Sequence, residues 1–70
     1  VRRKRVESSS LRSVGYDPES RILEVEFGSG AVYQYAEVPP ERHRNLLRAA
    51  SLGRYFNRWI RDRYPTFQVA

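Results

Sequence analysis

Two groups of residues have types and spacings that could do chemistry. Tyr33 and Tyr35 stand two apart in "AVYQYAEV". On a strand that spacing puts both rings on one face, where exposed rings can stack successive bases of a single-stranded nucleic acid. The same rings could instead fill a core between sheet and helices, with their hydroxyls at its edge. Arg54, Arg58 and Arg61 fall at i, i+4 and i+7 in "GRYFNRWIRDRYP", and Arg44 and Arg48 are four apart upstream. At helical period they make a cationic stripe able to hold phosphates, or a solvated face paired with Glu24, Glu26 or Glu37. Arg63 falls near the aromatic face of the same stretch, placed to lie over Trp59 or to pair with an acid.

Little else in the chain is equipped for chemistry. His43 is the lone histidine and there is no cysteine, so neither a metal site nor a disulfide is expected. Glu41 beside His43 does not by itself make a general acid–base pair. Ser8, Ser9 and Ser10 have no nearby base, and "GSG" (Gly28 to Gly30) is too short for a phosphate-cradling loop and precedes no helix. No enzyme activity and no cofactor are expected. Asn57 is the polar exception in a helix otherwise divided into apolar and basic stripes, suited to tying the helix to a loop or to touching a ligand.

The elements that must position these residues follow from periodicity. "RILEVEFG" is the clearest strand, with Leu23, Val25 and Phe27 on one face and Glu24 and Glu26 on the other. "SLRSVGYD" alternates imperfectly, and its Gly15 marks a bulge or a close backbone approach. Asp17 and Pro18 in "DPES" supply a turn, and "AVYQYAEV" is a third strand. Pro39 and Pro40 end that strand and suit the first turn of a helix carrying His43, Leu46, Leu47 and Ala50 on one face. Ser51 reads as the N-cap of a second helix, ended by Pro65, with Phe56, Trp59 and Ile60 on its apolar face. "TFQV" is compatible with a short edge strand or a packed tail.

Seventy residues make one domain near the lower size limit for a self-sufficient core. The net charge of +5 is unevenly spread. Arg2, Arg3, Lys4 and Arg5 form a basic start, the acids concentrate between Asp17 and Glu41, and seven arginines follow from Arg42 onward against Asp62. Such a basic C-terminal surface favours an acidic partner such as RNA or another nucleic acid. "VRRKRVESSS" has no apolar stretch to make it a secretory signal, and no run is long and apolar enough for a membrane span. A cytoplasmic protein with no membrane partner is expected.

The ordered short motifs resemble the KTSC domain. They are Ser8–Ser9, "VGYD" (Val14 to Asp17), "LEVEF" (Leu23 to Phe27), Tyr33-x-Tyr35, Val38–Pro39, and a final run on Ala49, Ser51, Gly53, Phe56, Asn57, Ile60 and Arg61. The resemblance spans Ser8 to the C-terminus. It implies a small bacterial module, also found at the C-terminus of some lysyl-tRNA synthetases, whose function is unestablished and for which RNA binding has been suggested. It implies no catalytic residues.

The expected structure is α+β: a three-stranded antiparallel β-meander followed by two α-helices packed on one sheet face. Residues 1–9 are expected as a flexible basic arm giving loose electrostatic contacts through Arg2, Arg3, Lys4 and Arg5, and residues 10–70 as the domain. Leu11, Leu23, Val25, Phe27, Leu46, Leu47, Phe56, Trp59 and Ile60 are expected to supply most of the core. The leading function is a non-enzymatic module binding RNA or other nucleic acid through Arg44, Arg48, Arg54, Arg58 and Arg61, with Tyr33 and Tyr35. The other reading is a protein–protein interaction module or homodimer.

Overall fold

Alternation of Leu23, Val25 and Phe27 with Glu24 and Glu26 builds the central strand of an antiparallel sheet. In the computed structural model, which describes residues 1–70, this strand (β3, Ile22–Phe27) lies between β2 (Leu11–Asp17) and β4 (Val32–Tyr35). These three strands are the expected meander. Two more flank it, β1 (Arg3–Arg5) beside β2 and β5 (Thr66–Gln68) beside β4, giving the order β1-β2-β3-β4-β5. All four pairings are antiparallel. The sheet is therefore five-stranded, and the C-terminal strand is present.

Residues Arg3–Arg5 correct the expectation of a free arm. Arg3 pairs with Gly15, Lys4 with Val14 and Arg5 with Ser13. Gly15 allows this: a Cβ there would sit 2.3 Å from the Arg2 carbonyl oxygen, so only glycine lets the β1 backbone approach. The close approach is at Gly15, whereas the bulge lies between Leu11 and Ser13. That extra residue turns the three-residue spacing of Leu11 and Val14 into a shared face, and both side chains reach the core.

The helix-free face is sealed by polar groups. Cross-strand pairing aligns Arg3, Gly15, Glu24, Gln34 and Phe67 in one row across all five strands. Arg3 Nη1 donates to Glu24, and Gln34 Nε2 donates to the other Glu24 oxygen at 2.8 Å. Arg3 Nε donates to Ser13 Oγ at 2.9 Å, and Ser13 donates on to Glu26 at 2.9 Å. Glu24 is only 6% exposed. Burial alone would raise its carboxyl, but the hydrogen bonds from Gln34 and Arg3 outweigh it and hold the group below the usual range.

On the opposite face lie α1 (Pro40–Arg48) and α2 (Leu52–Trp59). Pro40 opens α1, with Glu41 in its first turn to complement the helix dipole. Ser51 caps α2 by accepting from the Arg54 N–H. Leu11, Val14, Leu23, Val25, Tyr35, Val38, Leu46, Phe56 and Ile60 form the core. Phe27 and Trp59 pack against it half-buried, and Leu47 is 47% exposed. Helix α1 ends at Arg48 and presents one narrow apolar face, which Leu46 occupies. Leu47, one residue on, is turned about 100° away from it.

His43 stacks on Tyr16 with ring centroids 4.7 Å apart, and Tyr16 Oη donates to the Val38 carbonyl at 2.5 Å. Burial first, then the neighbouring Arg44 charge, lowers the His43 pKa.

Gly15→Ala forces β1 off the sheet and should cost about 1–3 kcal/mol, read as lower urea stability together with loss of amide-exchange protection at Arg3–Arg5. With its pKa lowered in the folded state, His43 contributes stability in full above about pH 6.5, and that stability is lost as pH falls toward the folded-state value. His43→Phe keeps the ring stack and should flatten the slope of stability against pH between about 5 and 7, measured by urea unfolding across that range.

Candidate nucleic-acid interface

The helical layer presents arginines that the acidic middle of the chain does not neutralise. Ion pairs join Arg3 to Glu24, Arg12 to Glu26 at 3.6 Å, and Arg44 to Glu41 at 3.9 Å. Arg48, Arg54, Arg58 and Arg61 are exposed and take part in none of them. Glu24 and Glu26 face the other side of the sheet and spend their charge on Arg3 and Arg12. Arg3 is thus committed to the fold, while Arg2, Lys4 and Arg5 remain exposed along the sheet edge.

Helix α2 stops sooner than Pro65. Ile60 leaves helical geometry, and the N–H groups of Ile60 and Arg61 both donate to the Phe56 carbonyl at 3.0 Å. Arg63 Nε closes the end by donating to the Arg58 carbonyl at 2.9 Å. This termination divides the expected stripe. Arg54 and Arg58 stay on the helix, whereas Arg61 lies in the following turn and borders a cleft.

Arg58 belongs to a cluster centred on Trp59. The guanidinium carbons of Arg42, Arg58 and Arg63 lie 5.1, 5.2 and 5.1 Å from the indole centroid. Arg42 also donates to Tyr55 Oη at 3.1 Å and Tyr64 Oη at 3.3 Å, tying α1 to α2 and to the turn beyond it. The ring quadrupole attracts each cation, yet three like charges meet here with no carboxylate bound to any of them. The result is a concentrated positive field over a half-buried aromatic surface. Arg63 does lie over Trp59, as its position in the sequence allows. Arg42 is a site residue that periodicity misses, because its role depends on how α1 packs against α2.

The two tyrosines share a face, but their environments differ. Tyr35 is 3% exposed, packed edge-to-face on Phe56 at 5.2 Å, and cannot offer a ring for stacking. Burial pushes its hydroxyl up to about 12, so it remains protonated. Tyr33 is half-buried, meets Phe27 edge-to-face at 5.6 Å, and donates to Gln68 at 3.4 Å. Both border a cleft of about 580 Å³ whose lining also includes Gly53, Phe56, Asn57 and Arg61. Asn57 is exposed there and makes no side-chain hydrogen bond, so it does not tie α2 to a loop.

The KTSC domain model matches residues 7–64. The chain belongs to the KTSC domain family. It is 38% identical to a crystallised KTSC domain protein of Yersinia pestis, with a TM-score of 0.96 covering 99% of this chain and 97% of that one. A protein of Stutzerimonas stutzeri is 56% identical over 64 residues, 91% of this chain and 90% of its own length. A lysine–tRNA ligase of Nostoc punctiforme is 34% identical over 64 residues, covering 91% of this KTSC chain but only 11% of the ligase. The module thus occurs both alone and within a larger enzyme. Tyr33, Tyr35, Gly53, Phe56, Asn57 and Arg61, on which the family resemblance rests, converge on the one cleft. No helix of the KTSC chain is long and apolar enough to cross a membrane.

Arg42→Ala removes two hydrogen bonds and one cation–π contact and should cost about 1–3 kcal/mol. Trp59 is the sole tryptophan, so urea unfolding followed by its emission measures this directly.

Proposed function

We propose that this KTSC domain is a non-enzymatic module that holds RNA by its phosphates on the helical layer. The observation that carries this is the convergence of Arg42, Arg58 and Arg63 on Trp59 with no carboxylate partner. Phosphate is an anion that guanidinium groups bind in bidentate fashion, and Arg48 and Arg54 extend the cationic surface along both helices. The lysine–tRNA ligases that contain a related segment act on an RNA, which favours RNA over other polyanions. The arginines supply affinity and no base code, so binding on this surface is sequence-tolerant.

A second reading has a specific observation behind it. Strand β5 is a sheet edge whose Phe67 is 56% exposed, with Val69 beside it at 50%. A strand of another chain, including a second copy, could add there. Sedimentation at rising protein concentration separates the readings, since dimerisation without RNA affinity supports only the second.

Affinity for a short single-stranded RNA should fall about 10- to 100-fold between 50 and 200 mM salt. Replacing Arg48, Arg54 and Arg58 by Gln should lower the log–log salt slope by about 0.7 for each phosphate no longer neutralised, measured by fluorescence anisotropy. Negligible binding at both salts overturns the proposal.

A further inference from the structure

The cleft between β4 and α2 differs in kind from the arginine surface. Its walls are Tyr33, Phe27, Phe56 and Tyr35, joined in that order by edge-to-face contacts at 5.6, 5.4 and 5.2 Å. Arg61 and Asp62 stand at its border, so its ionic groups sum to zero. Such a site does not concentrate phosphate. Asn57 offers an amide donor and acceptor, and Asp62 an acceptor, both without a side-chain partner in the protein.

The floor supplies a second, independent observation. Tyr35 is 97% buried, since only 3% of it is exposed, and its hydroxyl has no hydrogen-bond partner in the protein. No side-chain polar atom of the chain is both fully occluded and unpaired. The Tyr35 hydroxyl therefore keeps contact with solvent, and its residue lines the cleft, so it is free to donate or accept. Water can satisfy the hydroxyl in the free protein, and a ligand group that displaces that water must replace its hydrogen bond.

Aromatic walls combined with amide, carboxylate and phenol groups match a nucleobase: a planar π-face with donors and acceptors around its edge. We propose that this cleft takes one unstacked base of the bound strand. The base lies against Tyr33, its edge faces Asn57, Asp62 and the Tyr35 hydroxyl, and Arg61 meets the phosphate at the mouth. Asp62 accepts only, so it favours a base with an exocyclic amino group such as cytosine. This rests on the reading that the helical layer holds RNA, and it adds a base-recognising pocket to a surface otherwise blind to sequence.

The test uses the full chain and octacytidylate RNA, with affinity measured at 50 and 200 mM salt. Tyr33→Leu should weaken binding about tenfold or more at both salts, as loss of one stacked base does, with the salt slope unchanged. Tyr33→Phe should bind as the parent protein does. Asn57 is exposed and its side chain makes no hydrogen bond, so Asn57→Ala should leave the unfolding midpoint in place while weakening binding several-fold. If Tyr33→Leu and Asn57→Ala both bind like the parent, the base pocket is overturned and the arginine surface stands. If the parent chain does not bind octacytidylate at either salt, both are overturned. Should Tyr33→Leu unfold, Asn57→Ala decides alone.

Discussion

Leu23 and Val25 have no exposed surface, although the sheet that holds them is covered by helices on one side only. That coverage constrains everything else. A chain of this size has apolar side chains for one interface, each contributing about 1.5–3 kcal/mol when fully buried, and has no cysteines with which to reinforce it. Two short helices use that supply on one face. The other face must be closed by other means, and it is closed by Arg3, Ser13, Glu24, Gln34 and Glu26 bonding across the strands. Edge strand β1 is what brings Arg3 into that row.

The same constraint shapes the surface chemistry. Glu24 and Glu26 are consumed on the polar face by Arg3 and Arg12, so they are unavailable to the helices on the far side of the sheet. Glu24 and Glu26, which look along the sequence like partners for the basic end, face away from it in space, and only Glu41 pairs there, with Arg44. The positive field over Trp59 is the outcome. Arg42 holds that cluster together through Tyr55 and Tyr64, so one residue orients both helices and contributes to the charge they display.

How much of this could be read in advance depended on the range of the interactions. The alternation of Leu23 to Phe27, the Asp17 turn, the Ser51 cap and the proline-led first helix are local, and the sequence states them directly. Strand β1 is not local. A run of like charges resembles a free arm until Gly15 is seen to admit its backbone and Glu24 to bind its arginine. Helix α2 was legible in its start but not in its end, because Ile60 leaves the helix to reach the core and so sends Arg61 toward the cleft. The two tyrosines were correctly placed on one face. Their separation into one buried and one half-open ring follows from where Phe56 packs, which no spacing in β4 records.

Strand order equals chain order throughout the sheet, but both helices are inserted before the last strand. The first three pairings close short loops, whereas β5 reaches β4 only after both helices have been traversed, with Tyr33 meeting Gln68. Contacts between distant parts of a chain carry a larger loop-closure cost and slow folding. The cleft has walls from β4, from α2 and from Thr66 at the start of β5. Its completion therefore carries the largest loop-closure cost of the four pairings, and a chain with β5 undocked would keep its meander while lacking the finished cleft.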